Sequence, residues 1–167
     1  MADVGYEDRQ TRIKAATRRA GIVREPKTLA ASFLASFSSG DVEVILDHLA
    51  EDATWWVLGS LDGMSGTIDK ATLGNLLRRV KPLYADGALT ITPFDMISEG
   101  QQVAAEALSH AKLRDGREYA NAYHFRFEID EDRIVSVREY SDTQHMLEIF
   151  GPQAQACAQG DVSRSPR

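Results

Sequence analysis

The chain has 167 residues, 43% of them hydrophobic and 26% charged, which is the composition of one globular domain with its own core. The formal net charge of −6 argues against nucleic acid as a main partner, because phosphate binding needs a basic surface. The single Cys157 excludes an intramolecular disulfide and a cysteine-based metal site. No apolar run approaches the roughly 18 residues of a membrane helix, and no signal peptide is evident, so the sequence predicts a cytoplasmic protein without a membrane partner.

The N-terminal part of the chain predicts an extension followed by two helices. Residues 1–27 carry many charges without a clear apolar stripe, which predicts an N-terminal extension outside the folded domain. Thr28 is expected to cap a helix that runs to about Ser38, because apolar residues recur at near-helical spacing. Asp41 is expected to cap a second helix with apolar residues at i, i+3, i+4 and i+7.

A strand, a loop and a third helix are predicted next. Residues 53–58 are rich in aromatic and β-branched residues, which is typical of a short strand. Residues 59–67 are rich in glycine, but their spacing matches no phosphate-binding motif, so they predict a plain loop. Asp69 is expected to cap the third helix, and Pro82 lies in its final turn.

From residue 88 onward the apolar pattern changes to a period of two, which predicts four strands in a meander. Asp115-Gly116 and the acidic run at 130–132 are the expected hairpin turns. Ser141 or Asp142 is expected to cap a last short helix that Gly151-Pro152 ends, and 152–167 is predicted to be a disordered tail. This order of elements predicts an α+β fold with helices packed on one face of a curved antiparallel sheet.

The hairpin over 119–142 is unusual because polar residues lie among its apolar ones. Alternation places Asn121 and Tyr123 on the same side as Phe125, and Glu139 follows two valines on the next strand. Buried polar groups cost free energy unless they are paired. The hairpin is therefore the first place to look for a functional site.

Several strings resemble the nuclear transport factor 2-like superfamily, most closely its SnoaL-like and ketosteroid isomerase-like proteins. They are FSSGDVEVILDHLAEDATW, VAAEA, DGREYANAYHFRF and RIVSVREYSDTQHMLEIFG. The resemblance covers residues 28–151 and implies a cone-shaped α+β barrel, in which a curved, mostly antiparallel sheet wraps around the N-terminal helices. It also implies an apolar pocket, although members of this superfamily include isomerases, cyclases, epoxide hydrolases, dehydratases and non-catalytic binders. Fold alone therefore does not fix the function.

The resemblance implies which side chains face the pocket. The candidate acid/base and hydrogen-bonding residues are Glu139, Glu106, His110, Tyr123 and Asn121. The candidate substrate-binding residues are Leu34, Phe37, Trp55, Val57, Leu108 and Val137. Two carboxylates in one apolar pocket would raise one of their pKa values, which gives an acid and a base near neutral pH. The alternative is a structural network in which both carboxylates only shape the pocket.

Known catalytic sets of the superfamily are not reproduced. Val57 stands where ketosteroid isomerases place an aspartate base, and Phe33 where they place the tyrosine that binds the oxyanion. Glu106 and Leu108 stand where epoxide hydrolases of this fold place an arginine and an aspartate. The known mechanisms therefore cannot be copied onto this chain.

The sequence leaves two functions open. One is a cofactor-independent enzyme of the isomerase, cyclase or lyase type that transfers protons on a small apolar or polycyclic molecule. The other is a non-catalytic ligand-binding or accessory protein. The four histidines lack a metal-binding spacing, so we expect no metal and no cofactor. Mixed charges and aromatic residues on the opposite sheet face, such as Arg126, Arg138 and Tyr140, predict a homodimer through that face.

Overall fold

The computed structural model describes residues 25–160, with side chains described for 25–151. In chain order the elements are α1 (Pro26–Ser36), α2 (Val42–Leu46), β1 (Leu49–Val57), β2 (Gly66–Asp69), α3 (Lys70–Val80), β3 (Thr90–Glu99), β4 (Gln102–Lys112), β5 (Glu118–Asp130), β6 (Arg133–Ser141) and α4 (Thr143–Gly160). Short 3-10 turns follow α1 and α3, at Phe37–Ser39 and Lys81–Leu83.

The strands form one curved, unclosed sheet in the order β2-β1-β6-β5-β4-β3. β3 to β6 form the predicted antiparallel meander. β1 lies parallel to β6 and pairs on its other side with β2, an edge strand that the sequence had suggested to be mostly loop. The predicted α+β fold, with a curved sheet against N-terminal helices, is confirmed.

α1 covers one face of the sheet, called the inner face below, and the opposite face is called the outer face. Leu29, Phe33 and Leu34 are fully buried on α1. Phe33 packs edge-on against Phe127 of β5, with 5.9 Å between the ring centroids. Burying these large side chains provides most of the stabilisation that holds the helix on the sheet, at about 1.5–3 kcal/mol for each.

The predicted N-cap of α3 is confirmed, whereas the predicted N-cap of α1 was wrong. Asp69 caps α3 as expected, because its Oδ1 accepts a hydrogen bond from the backbone N–H of Thr72 at 2.7 Å. α1 begins before the predicted Thr28 cap: Glu25 is the N-cap, and its carboxylate accepts from the backbone N–H of Thr28 at 3.1 Å. Pro26 takes the first helical position, where a missing N–H costs nothing. The remainder of the predicted extension, residues 1–24, lies outside the described residues.

α4 starts as predicted but continues past its predicted end. Asp142 caps it by accepting from the backbone N–H groups of Gln144 and His145 at 3.0 and 3.2 Å. The helix then runs through Pro152 to Gly160, so the predicted stop at Gly151-Pro152 was wrong. Proline at 152 cannot donate to the carbonyl of Glu148, four residues earlier. Arg117 supplies the missing donor, since its Nη1 lies 3.2 Å from that oxygen. The rest of the predicted tail, 161–167, lies outside the described residues.

Candidate functional site

The hairpin β5–β6 places its polar residues on the inner face as its alternation predicted. Asn121 and Tyr123 are buried on β5 together with Phe125, and Val137 and Glu139 are buried on β6. The register explains this, because Phe125 lies directly opposite Glu139 and Phe127 opposite Val137. Residues directly opposite each other on adjacent strands share one face of the sheet. A carboxyl, an amide and a phenol are therefore held inside the domain.

The predicted residues of β4 face the other way. Glu106, Leu108 and His110 lie on the outer face, and Leu108 keeps 55% of its surface exposed. The inner face of β4 carries small side chains instead, namely Ala105, Ala107, Ser109 and Ala111. Small residues are needed there because the strand next to it contributes bulky rings to the same space. The predicted Glu106–Glu139 pair and the predicted role of His110 in the pocket were therefore wrong in placement.

Glu139 is the buried carboxyl group of this site. Only 8% of the residue is exposed. The indole Nε1 of Trp55 donates to its Oε2 at 2.9 Å, and the hydroxyl of Ser141 lies 3.4 Å from Oε1. Burial disfavours the carboxylate more than these two donors favour it, and the pKa of Glu139 rises to about 7. Both protonation states are therefore populated near neutral pH.

Beside Glu139 lies a chain of hydrogen-bonded hydroxyl groups. The Tyr119 and Tyr123 hydroxyls are 2.6 Å apart. Burial raises the pKa of both tyrosines, and the negative charge of Glu139 raises it further. Both phenols therefore stay neutral and keep their protons as hydrogen-bond donors. An arrangement of this kind can stabilise an oxyanion that develops on a bound molecule.

The side chain of Asn121 connects the two tyrosine hydroxyls to the backbone of Asp142, just after the end of β6. Its Nδ2 donates to the Tyr119 hydroxyl at 3.0 Å and to the Asp142 carbonyl at 3.1 Å. Its Oδ1 accepts from the backbone N–H of Asp142 at 3.1 Å. Both amide hydrogens are thus engaged with the protein. In this structure Asn121 positions Tyr119 and the start of α4.

Apolar residues enclose the polar cluster. Leu34, Phe37 and Trp55 are buried in one core cluster, and the half-buried Val57 packs against that cluster. Trp55 packs against Phe37 and Phe125, with ring centroids 6.3 and 6.2 Å away. A small cavity of about 30 Å³ opens beside Phe37, between α3 and the loop that leads to β3. Its volume is close to that of one water molecule, so a larger ligand requires this side of the domain to move apart.

Three residues of the cluster were not predicted as site residues: Tyr119, Ser109 and Ser141. Tyr119 shares the face of Asn121 and Tyr123 by simple alternation, so the pattern contained the signal. Ser109 lies on the face of β4 opposite to Glu106, Leu108 and His110, which the sequence had predicted to face the pocket. Ser141 lies two residues after Glu139 on β6, and its hydroxyl is a weak sequence signal. His145, from α4, stacks on Tyr119 with 5.4 Å between the centroids.

A separate groove lies away from the polar cluster. It measures about 1040 Å³ and is lined by Leu29, Glu43, Val44, Leu46, Asp47, His48, Glu51, Lys70, Asp132 and Arg133. None of the predicted site residues lines it. Between residues 25 and 151 no group of three or more His, Cys, Asp or Glu side chains is placed to hold a metal ion. No helix in the described part of the chain is long and apolar enough to cross a membrane.

The sequence profile of the SnoaL-like domain family matches residues 30–137. No curated protein matches the chain in sequence. Solved structures do match in fold. IdmH from Streptomyces antibioticus, a proposed polyketide cyclase, is 21% identical with a TM-score of 0.62, and the match covers 77% of this chain and 99% of IdmH.

Two further structures show the same fold. BvnE, a pinacolase from Penicillium brevicompactum, is 16% identical with a TM-score of 0.67, and the match covers 82% of this chain and 99% of BvnE. TerC, crystallised with polyporic acid, is 18% identical with a TM-score of 0.64, and the match covers 75% of this chain and 98% of TerC. At these identities the likeness establishes the shared fold alone.

Proposed function

We propose that this chain, which belongs to the SnoaL-like domain family, is a cofactor-independent enzyme. The proposed enzyme transfers protons on a small apolar or polycyclic molecule. The observation that carries the proposal is the buried carboxyl of Glu139, whose pKa of about 7 suits a group that both takes and returns a proton. The Trp55 N–H fixes its orientation. The shared fold of IdmH, BvnE and TerC supports a ligand of this class. IdmH is a proposed polyketide cyclase, BvnE is a pinacolase, and TerC was crystallised with polyporic acid.

In the proposed step, the carboxylate of Glu139 takes a proton from a carbon next to a carbonyl group. The electron pair of the broken C–H bond moves into the carbonyl, which becomes an enolate, and Glu139 becomes a neutral acid. A proton of the Tyr119–Tyr123 pair stabilises the negative oxygen by hydrogen bonding. If the enolate is conjugated with a C=C bond, Glu139 returns its proton to the far carbon of that system and the double bond shifts, which completes an isomerisation. In a cyclisation the enolate carbon instead bonds to the carbon of a second carbonyl group, the π electron pair of that group moves to its oxygen, and Glu139 gives its proton to this oxygen.

The test is deuterium uptake from D₂O by a panel of polycyclic ketones, followed by mass spectrometry. We expect the wild-type protein to accelerate uptake at the carbon next to the carbonyl, and Glu139→Gln to lose at least about 100-fold of that rate, which is typical for removal of a general base. Glu106→Gln is the matched control, because Glu106 lies on the outer face and should leave the rate unchanged. Equal rates for wild type and Glu139→Gln would overturn the proposal.

A second function is a non-catalytic ligand binder, and one observation favours it. Glu139 is the one carboxyl among the buried residues of 25–151, and no histidine is buried with it. The site therefore lacks the second titratable partner that the sequence suggested. Binding of a panel compound without deuterium uptake or any change of mass would support this alternative.

The proposal includes a cytoplasmic homodimer that pairs through the outer face. Leu108 is exposed there, and Arg138 lies over the ring of Trp56 at 4.2 Å from its centroid. Tyr140 packs against the same tryptophan at 5.4 Å. An exposed leucine near aromatic and arginine side chains has the composition of many interface centres.

A further inference from the structure

The groove between α1, α2 and the β5–β6 turn carries more negative than positive charge. Among the described residues that line it, four have carboxylates and two have permanent positive charges: Glu43, Asp47, Glu51, Asp132, Lys70 and Arg133. Arg78 of α3 pairs with Glu43 from outside this set. The four carboxylates keep 62–97% of their side-chain surface exposed. Exposed carboxylates on a concave surface attract cationic groups.

The positive side chains of the groove leave its carboxylates accessible to a further cation. The Arg133 guanidinium serves two carboxylates, since its Nη1 lies 3.2 Å from Asp47 and its Nε 3.9 Å from Asp132. One positive charge balances only one of these two. The Lys70–Glu51 pair, at 3.2 Å, lies at the surface, where such a pair contributes at most about 1 kcal/mol. A second guanidinium can therefore bind here without breaking a strong interaction.

The chain itself supplies a cationic segment next to this groove. Residues 9–24, called the basic segment below, lie outside the described residues and contain six arginine and lysine residues and no aspartate or glutamate. Since the whole chain has a net charge of −6, its remainder carries −12. The basic segment joins α1 at the N-cap Glu25, and Leu29, one helical turn further on, lines the groove. The basic segment is therefore attached at the rim of an acidic groove.

We infer that the basic segment binds in this groove of its own chain, with its arginine side chains on the carboxylates of Asp47, Glu51 and Asp132. Guanidinium groups bind carboxylates through two parallel hydrogen bonds, which suits arginine for this contact. Residues 9–24 span at most about 58 Å when extended, so the basic segment is long enough to run along the groove. Its attachment beside Leu29 makes the contact intramolecular, which is equivalent to a partner concentration of about millimolar order.

Apolar contacts add to the charge complementarity. Val44 of α2 lines the groove and keeps 45% of its surface exposed. Leu29 and Leu46 line the groove as well. Ile22 and Val23 are the apolar residues of the basic segment nearest to α1 in the sequence. Covering Val44 with one of them removes apolar surface from water, which favours the bound arrangement.

Other occupants of the groove have less support. Nucleic acid is repelled by the carboxylates. A basic peptide of another protein has to compete with a segment that is always present at the rim. The basic segment of a second copy carries the same charge, and a mixed sample distinguishes it. None of the described residues that line the groove belongs to the Glu139 site, so the inference does not depend on the proposed function.

The test is paramagnetic broadening in NMR spectra of the full chain. A nitroxide spin label is attached through Ala16→Cys, in the middle of the basic segment, in a Cys157→Ser background, because Cys157 is the only cysteine. At low salt we expect the backbone amide signals of 43–51 and 132–133 to lose most of their intensity relative to the chain with the reduced, diamagnetic label. The signals should recover in about 1 M salt, where the screening length falls to about 3 Å.

Charge reversals test whether the carboxylates hold the basic segment. Glu51→Lys with Asp132→Lys should abolish the broadening, and so should Arg18→Glu with Arg19→Glu. Combining both pairs of changes in one chain should restore the broadening, because the charges are again complementary. Variants that only disturb the fold would not rescue each other, so failure of the combined variant to restore the broadening would overturn the inference.

Glu99→Lys with Glu128→Lys is the matched control, because it changes the net charge equally at two exposed residues of β3 and β5. Neither residue is among the described residues that line the groove, so the broadening should stay as in wild type. If this control loses the broadening as fully as the groove variant does, the attraction belongs to the overall charge and the inference is overturned.

The mixed sample tests whether the groove binds the basic segment of its own chain. Spin-labelled chain without NMR isotopes is mixed with isotope-labelled chain that lacks the spin label. The groove signals should keep their intensity in this mixture. Broadening of these signals would overturn the inference in favour of a contact between two copies. Absence of broadening in the spin-labelled, isotope-labelled chain at low salt would overturn it as well.

Discussion

The Nε1–H of Trp55 donates a hydrogen bond to Oε2 of Glu139 at 2.9 Å, from β1 to β6. These two strands are parallel, and Trp55 lies beside Val137 while Glu139 lies beside Val57. The register of this one pair of strands brings the two side chains together. It couples the one inward tryptophan to the group proposed to move protons, and so gives a spectroscopic probe of that group.

The first prediction concerns the indole N–H resonance of Trp55. Because a hydrogen bond to a carboxylate is stronger than one to a neutral acid, this resonance should move downfield as the pH rises, with a midpoint near 7. The measurement is a pH series of proton–nitrogen NMR spectra, in which the two tryptophans give two indole signals.

This titration has two controls, the second tryptophan of the chain and the variant Glu139→Gln. Trp56 lies on the outer face against Tyr140 and should not follow the Glu139 titration. Glu139→Gln should abolish the movement of the Trp55 signal and leave Trp56 unaffected. A Trp55 signal that titrates near 4.5, the ordinary value for a glutamate, would show that burial does not raise the pKa of Glu139.

The second prediction concerns stability against pH. The pKa of Glu139 is about 7 in the folded protein and 4.5 in an exposed glutamate, so between these values the folded state binds more protons than the unfolded state. The free energy of unfolding should therefore fall as the pH rises through this interval, by up to about 3 kcal/mol, and level off above it.

Urea unfolding of wild type and Glu139→Gln at pH 5 and pH 8 measures this contribution. The glutamine variant lacks the titration, so its stability relative to wild type should be greater at pH 8 than at pH 5. The comparison removes the other titrating groups, because both proteins share them. A stability difference that does not change between the two pH values would contradict the prediction.

The sequence predicted β5 and β6 well and β4 poorly, and the reason is the size of the residues. On β5 the inward row contains Phe125 and Phe127, so its apolar side is unmistakable. On β4 both rows are ambiguous, because alanines on one side compete with Leu108 on the other. The strand register shows which row faces inward, because Ala107 lies opposite Tyr123 and therefore shares the inner face with it. Small residues there leave space for the rings, which a single sequence cannot reveal.

The end of α4 was missed for a different reason. Glycine and proline at 151–152 are the ordinary signals for the end of a helix. Here the carbonyl that proline leaves without a partner is satisfied by Arg117, which follows the β4–β5 turn. A contact over such a long sequence separation has no local signature. The caps at Asp69 and Asp142 were predictable because each acts within three residues.

The third prediction tests the proposed dimer. Leu108→Arg places an unpaired charge in the centre of the proposed contact, so the variant should sediment as a monomer where wild type sediments as a dimer. Leu147→Arg is the matched control, because Leu147 is also exposed but belongs to α4 and not to a strand of the sheet. Analytical ultracentrifugation measures both. A wild type that sediments as a monomer, or a Leu108→Arg variant that stays dimeric, would contradict the outer-face contact.

The fourth prediction concerns Arg117 and Pro152. The Arg117 guanidinium donates to the carbonyls of Glu148 and Ile149, both at 3.2 Å, and it is held in place by Asp115. Arg117→Ala should destabilise the protein and speed amide exchange in the last part of α4, because the carbonyl that Pro152 leaves without a backbone donor loses the arginine as well. Arg114→Ala is the control, since Arg114 occupies the same turn but donates to Pro82.

The double-mutant cycle gives the decisive measurement. Pro152→Ala restores a backbone N–H that can bond to the Glu148 carbonyl, so the arginine is no longer the only available donor. Arg117→Ala should therefore reduce the free energy of unfolding less in the Pro152→Ala background than in wild type, as measured by urea unfolding of the four proteins. If the cost is the same in both backgrounds, Arg117 stabilises the turn through Asp115 alone, and the continuation of α4 past Pro152 needs another cause.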